Sequence, residues 1–344
     1  MAGLSDRLTG FPRRVLMDVL AAAFLPTLLA TIVATRVILA WLHKKQILDH
    51  PNDRSSHQWP TPRGGGLAVT PIILLAWTAL AGLGCGVDGQ GPVIVGAAIV
   101  LLLSWQDDKG HLPARIRLFI HFAACVLGLA GLGGGGQLIF QGLAPFWLDR
   151  LLAIFLWVWF LNLYNFMDGI DGITGVETIC IAGGLVLLGG SAGPLAVAVL
   201  AAGCGFLVWN WHPARIFLGD SGSVPLGYLL GWLLLRLALE GQWAAALILP
   251  AYYLADATLT LLVRLWRKEA FWQAHRQHFY QKAVRAGARH DQVAGLIMVV
   301  DLMLLGLAWI ASSRPWPALA ATAVLVSALL IGLARWNYSA RPRN

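Results

Sequence analysis

Charged side chains are scarce in this 344-residue chain, at 12% of positions against 58% apolar. A water-soluble domain carries about 25% charged and about 45–50% apolar residues. The deficit excludes a soluble globular enzyme and a disordered chain, and leaves an integral membrane protein. Cysteine is sparse as well. Cys85, Cys125, Cys180 and Cys204 lie in or beside apolar runs without CxxC spacing, so neither a disulfide framework nor a cysteine zinc site is indicated. No GxxxxGKS/T and no HExxH occurs, which removes the ATP-binding P-loop and the zinc-protease helix. Alternating strands of about ten residues are missing too, which excludes a transmembrane barrel.

What the chain has instead is eleven apolar runs: Val15–Leu42, Gly66–Leu83, Val93–Trp105, Leu118–Leu132, Leu151–Leu163, Ile179–Leu188, Leu195–Trp209, Val224–Leu239, Ala244–Val263, Val293–Ile310 and Pro317–Leu333. They predict an all-α fold, a polytopic membrane helix bundle of about eleven transmembrane helices. The bundle is one domain over residues 1–344, with no separate soluble domain. Val93–Trp105, Leu151–Leu163 and Ile179–Leu188 are short for a span, which needs about 20 residues. The first run is too long for a signal-peptide core and reads as a span.

The net charge of +8 is placed unevenly. Loops after runs one, three, five, seven and nine, with the C-terminal tail, hold 18 of the 25 Lys and Arg. The N-terminal tail and the other loops hold five, and Arg36 and Arg236 lie within the first and eighth runs. The positive-inside rule puts the richer side in the cytoplasm. Topology therefore accounts for the basic balance, without nucleic acid.

The acids are more informative. Asp107, Asp108, Asp168, Asp171, Glu177 and Asp220 all fall in the basic family of loops, beside the ends of runs three, five and seven. In a bundle they can converge on one pocket. Acids held together repel unless a cation or proton joins them, and oxygen donors favour a hard cation such as Mg²⁺. Helix capping is the structural alternative for Asp168 and Asp220, but it leaves the adjacent Asp107–Asp108 unexplained. Asn162-Leu-Tyr-Asn165-Phe-Met-Asp168-Gly-Ile-Asp171-Gly172 is the densest polar stretch in apolar surroundings, and irregular backbone at a membrane edge must line a polar cavity. Phe217-Leu-Gly-Asp220-Ser-Gly-Ser223 offers small residues and amides suited to an anion at a helix start. Asn52-Asp-Arg54-Ser-Ser-His57, followed by Pro60-Thr-Pro-Arg63-Gly-Gly-Gly66, joins basic and amide donors to a glycine run and suits phosphate. His275-Arg276-Gln277-His278 lies in the most basic loop, where phosphate contact is favoured over zinc. Arg36, His121, Asp256 and Asp301 sit inside runs; hydrogen bonding between helices is the simplest role for His121 and Asp301.

These stretches, in this order from about Asp49 to Gln281, resemble the polyprenyl-phosphate N-acetylhexosamine-1-phosphate transferases. That family includes phospho-MurNAc-pentapeptide transferase of peptidoglycan synthesis and the enzymes that begin O-antigen, enterobacterial common antigen and teichoic-acid linkage units. The RSSH…PTPRGGG and HRQHFYQ forms look more like the O-antigen-initiating branch, since the late loop of the peptidoglycan enzyme typically carries a His-His-His run. The resemblance implies transfer of an N-acetylamino-sugar-1-phosphate from a UDP-sugar to undecaprenyl phosphate, with release of UMP. Mg²⁺, or Mn²⁺ in its place, is the implied cofactor, and the bacterial cytoplasmic membrane the implied location, with the site on the cytoplasmic face. Membrane lipid is the further partner, nucleic acid is not, and self-association stays open.

Residue by residue, Asp220 matches the family's metal-binding Asp, with Asn165 a second candidate ligand. Phe217 matches an aromatic that stacks on uracil, and Asn210 a nearby amide. Asp168 matches an essential acid, Arg115 a basic substrate contact, and His57, His275, Arg276 and His278 the substrate-binding loops. Asp107 and Asp108 match an acid pair proposed to include a general base. A phosphate monoester has a second pKa near ~6, so the lipid phosphate has little proton to lose at neutral pH and positioning is the favoured role. The rival class is a secondary transporter, which would place its acids near the bilayer midplane in paired repeats; no such repeat is visible. The charge split predicts that the loop around Arg276 and the C-terminus share the cytoplasmic side. Reporter fusions at Asn344 and labelling of a cysteine placed at Arg276 check this, and external labelling would overturn it.

Overall fold

The computed structural model describes residues 13–51, 56, 59–110, 112–132, 136–269 and 275–336. Every apolar run is helical. In chain order the helices are α1 (Arg13–Lys45), α2 (Gly66–Gly82), α3 (Gln90–Lys109), α4 (Ala114–Ala130), α5 (Phe146–Phe166), α6 (Ile173–Leu188), α7 (Gly193–Asn210), α8 (Asp220–Leu237), α9 (Trp243–Ile248), α10 (Ala251–Trp266), α11 (Phe279–Arg285), α12 (His290–Ala311) and α13 (Pro315–Ala334). A two-stranded antiparallel ribbon, β1 (Leu48–Asp49) with β2 (Thr61–Pro62), precedes α2. The protein is a polytopic membrane bundle. Among the described residues, seven helical segments are long and apolar enough to cross a bilayer, the α8–α9 pair counting as one, and α2 and α6 are shorter apolar helices.

The ninth run departs from expectation. Ala244–Val263 is two helices, α9 and α10, parted at Leu249–Pro250, because proline cannot supply the N–H that a continuous helix needs. Between α8 and α9 a turn through Gly241, at φ 93°, breaks the helical path. Glu240 in that turn accepts the N–H and hydroxyl of Ser191 at 3.2 and 2.5 Å. This pins it to the bundle end opposite Asp220, and the chain then returns to the Asp220 end by α11.

α8 is the axis of the bundle: 89% of its apolar window is buried, against 22–39% for α1, α3, α5, α12 and α13. On α1 the exposed Leu25, Leu29, Val33 and Val37 recur every fourth residue, while Thr27, Thr31 and Thr35 are buried on another face. Apolar surface turned outward and small polar residues turned inward is the pattern of a helix solvated by lipid. α1 packs against α7, whose Gly205 comes close to the Leu28 carbonyl and Thr31.

Close backbone approach fixes α2 on α8. A Cβ added to Gly66 would lie 2.1 Å from the Gly222 nitrogen and 2.2 Å from the Ser221 carbonyl carbon. No rotamer change relieves a backbone clash. Gly66→Ala should therefore force α2 away from α8 and sharply lower the yield of folded protein, whereas Gly82→Ala, with nothing within 4 Å, should not. Monodispersity after detergent extraction is the measurement.

Candidate functional site

The site forms where α8 begins. The first N–H groups of a helix lack intrahelical partners and carry partial positive charge. Here the Asp108 carboxylate, from the end of α3, accepts the N–H groups of Asp220 and Ser221 at 3.0 and 2.9 Å. The anion at this helix start is thus the protein's own, and the amides expected to receive substrate are occupied. Capping, set aside for the acid pair on sequence, is what Asp108 does. Arg63 Nε lies 3.1 Å from the same carboxylate, and its Nη2 2.5 Å from Asp220. Burial works against the Arg63 charge, but Asp220, Asp108, Asp49 and Asp168 outweigh it and hold the guanidinium firmly protonated.

Asp107 is also engaged. It accepts the Leu112 N–H at 2.7 Å and pairs with Arg117 at 2.6 Å; Arg117 then reaches within 3.7 Å of Asp220. Arg115, the arginine expected at the site, lies exposed in the first turn of α4. Two residues along a helix are about 200° apart, so only one of the pair can face the cluster, and it is Arg117. Asn165 turns its amide nitrogen to Asp220 at 3.5 Å and accepts the Ser223 hydroxyl at 2.5 Å. Asp168 sits on the loop after α5. Burial pushes its carboxyl up to about 6, the Thr174 hydroxyl and Arg63 pull it back, and Asp220 and Asp108 add to the rise. Asp220 and Asp168 offer hard oxygen donors with no sulfur or imidazole between them, a set that fits a divalent hard cation.

The glycine run does not offer free amides. Gly64 and Gly65 donate to the Phe217 carbonyl at 3.1 and 2.9 Å, Gly66 donates to Leu218 at 2.9 Å, and Phe217 donates to Pro62 at 2.8 Å. The run is a seam between β2 and the segment before α8, and Arg63 is its one charged contribution. Phe217 is half-buried beside it. Asn210 accepts the Gly172 N–H at 3.0 Å and donates to the Ile216 carbonyl at 2.9 Å. It is a brace between the Asp168 loop and the Phe217 strand, with both ends of its amide in use. His57 lies outside the described residues.

The late loop reaches the same end. Tyr280, on α11, places its hydroxyl 3.5 Å from the Phe166 carbonyl, against Gly169. The buried Asp256 of α10 accepts the N–H groups of Phe279 and Tyr280 at 3.0 and 3.4 Å and faces His278 Nδ1 at 3.2 Å. His278 is therefore buried and anchored, so it supports the loop from below instead of presenting itself at the cleft. Its ring lies 4.9 Å from that of His275. Burial, His278 and Arg264 lower His275 to about 4, which leaves it neutral at physiological pH. Arg276 is half-buried between the two histidines.

The six acids do not all converge. Asp107, Asp108, Asp168 and Asp220 form one cluster; Asp171 pairs with His212 and His290; Glu177 faces Asp301 inside the bundle. Arg63 and Arg117 were visible as basic residues in the right loops, but nothing local marked them as partners of these acids. His212 and His290 carried no spacing signal at all.

The model for glycosyl transferase family 4 matches residues 92–238, from α3 through α8. A "Probable undecaprenyl-phosphate N-acetylglucosaminyl 1-phosphate transferase" of Bacillus subtilis (strain 168) is 27% identical over 305 residues, covering 83% of this chain and 82% of the relative. A "Decaprenyl-phosphate N-acetylglucosaminephosphotransferase" of Mycolicibacterium smegmatis is 33% identical over 66% of this chain and 61% of its own length. A "Phospho-N-acetylmuramoyl-pentapeptide-transferase" of Synechococcus sp. (strain JA-2-3B'a(2-13)) is 30% identical over 72% of this chain and 78% of its own. The chain belongs to glycosyl transferase family 4. It is an enzyme, a sugar-1-phosphate transferase.

The Asp168 carboxyl is neutral below about 6 and anionic above it. An anion binds a divalent cation and its acid form does not, so affinity of the wild type for Mn²⁺ should strengthen as pH rises through that value. Titration of Mn²⁺ by electron paramagnetic resonance should show this rise, and Asp168→Asn should flatten it.

Proposed function

We propose that the protein transfers an N-acetylamino-sugar-1-phosphate from a UDP-sugar to undecaprenyl phosphate, starting a lipid-linked, O-antigen-like surface glycan at the cytoplasmic face of a bacterial inner membrane. The observation that carries this reading is the cluster of four carboxylates and two arginines at one end of a lipid-solvated bundle. The names of the relatives support the same chemistry, with GlcNAc as the sugar they print. An oxygen of the lipid phosphate attacks the sugar-bearing phosphorus, its bond to the UMP oxygen breaks, and UMP leaves with that oxygen. Phosphoryl transfer needs positioning and charge neutralisation more than covalent help.

Asp220 and Asp168 would hold Mg²⁺, which when bound neutralises diphosphate charge. Arg63 and Arg117 compete for Asp220 and keep its position fixed until substrate phosphate enters, when they can turn to it. Asp107 and Asp108 are positioning groups: each holds an arginine, Asp107 one backbone amide and Asp108 two, and the nucleophile is already ionised near neutrality. Arg276, on the loop anchored by Asp256, closes over the sugar-diphosphate. A MurNAc-pentapeptide donor is the second reading, favoured by the Synechococcus relative and opposed by the His-Arg-Gln-His form of the late loop.

Membranes incubated with labelled UDP-GlcNAc or UDP-MurNAc-pentapeptide and undecaprenyl phosphate, then extracted for lipid, test the proposal. Label in the lipid phase from the first donor, lost with EDTA and in Asp220→Asn, is the expected result. Arg276→Ala should lower turnover at least tenfold, while Arg289→Ala, exposed and paired with Asp291, should leave it unchanged. Lipid label from neither donor would overturn the reading.

A further inference from the structure

The Asp168 carboxylate is backed by two buried hydroxyls. The first belongs to Thr174, in the opening turn of α6, and hydrogen-bonds the carboxylate directly. The second is the phenol of Tyr253 on α10, 3.2 Å from Thr174 Oγ1. Thr174 is 1% exposed and Tyr253 0%, so bulk water replaces neither group. The Tyr253 ring packs against those of Tyr164 and Tyr252, with centroids 5.2 and 5.8 Å away, which holds the phenol in place.

The direction of these hydrogen bonds follows from counting hydrogens. A hydroxyl has one hydrogen to give and two lone pairs that accept, whereas an ionised carboxylate only accepts. Thr174 must therefore turn its hydrogen to Asp168. Its lone pairs then face Tyr253, and the phenol is left as the donor. The reverse order would set a Thr174 lone pair against the carboxylate, which is repulsive. Tyr253 thus selects the rotation of the Thr174 hydroxyl that suits anionic Asp168. A donor that itself accepts a hydrogen bond is polarised and donates more strongly. Asp256, which anchors the late loop, lies three residues after Tyr253 and on the same face of α10. One helix therefore holds both the Asp168 loop and the loop of Arg276.

We propose that Thr174 and Tyr253 are positioning residues for Asp168: Tyr253 donates to Thr174, Thr174 donates to Asp168, and together they fix how the carboxylate meets a divalent cation. This rests on the reading of Asp168 as a cation ligand, and neither residue touches substrate. Partners that stand behind a ligating carboxylate change metal affinity by about 10–100-fold when they are removed. The effect expected of Thr174 is therefore on cation binding first, and on turnover only through it.

The test is Mn²⁺ binding to the full-length protein in detergent, followed by electron paramagnetic resonance. The pH is set well above the Asp168 transition, so that this carboxyl is ionised wherever it is present. Thr174→Val keeps the shape of the side chain without its hydroxyl and should weaken Mn²⁺ binding about tenfold or more. Thr174→Ser, which keeps the hydroxyl, should bind as the wild type does. Tyr253→Phe removes one oxygen and should weaken binding about threefold. It should add nothing in a Thr174→Val background, because the phenol acts only through that hydroxyl. If Thr174→Val does not fold, Tyr253→Phe compared with wild type decides. Wild-type affinity in folded Thr174→Val or in Tyr253→Phe would overturn the proposal while leaving Asp168 a ligand. Unchanged affinity in Asp168→Asn would overturn it together with the reading of Asp168 on which it rests.

Discussion

The Asp108 carboxylate carries the arrangement of the acid end. It is 1% exposed, and it satisfies two helix-start amides of α8 and one arginine at once. A buried carboxylate stripped of such partners costs about 3–5 kcal/mol, so the group is stable only where α3, α8 and the Arg63 segment meet. Because α8 is the most enclosed of the long helices, fixing its first turn fixes where Asp220 points. The cap is also why a lipid-solvated bundle can carry a charged site at its edge: its charges are paired before any substrate arrives.

Charge balance follows from that cap. Asp107, Asp108 and Asp220 pair with Arg63 and Arg117, and Asp168 lies beside them, so the cluster keeps a negative excess. Asp220 takes Arg63 at 2.5 Å with Arg117 at 3.7 Å, and Asp168 lies beside this group in the field of Arg63. Burial raises the Asp168 carboxyl to about 6, and Asp220 and Asp108 add to the rise. A divalent cation is the simplest way to settle such a surplus, and phosphate-bearing substrates bring the opposite sign needed by Arg63 and Arg117. Both members of the acid pair are committed to amides and arginines.

A second buried acid organises the other wall. Asp256 caps α11 across the bundle, much as Asp108 caps α8. In both, a buried carboxylate satisfies amides at a helix start, where an unpaired buried N–H is costly. Tyr280 then lays α11 against Gly169, which brings the His275–His278 loop beside the Asp168 loop.

Composition and pattern by themselves determined that the chain is an all-α membrane bundle, where its eleven apolar runs lie, and that the polar motifs share one end. These follow from desolvation, which acts residue by residue and is legible in one dimension. The motif order also carried the family. Which acids meet was decided only by tertiary structure: Asp171 leaves the group for two histidines, and Glu177 turns inward to Asp301. Arg117 takes the place expected of Arg115 because helix rotation, not sequence proximity, sets which side chain faces a cluster. Amides of Gly64–Gly66 and of the α8 start looked free because their acceptors, the Phe217 and Leu218 carbonyls and Asp108, are more than a hundred residues away. Pairing across such distances depends on how the helices pack, and no local spacing encodes it.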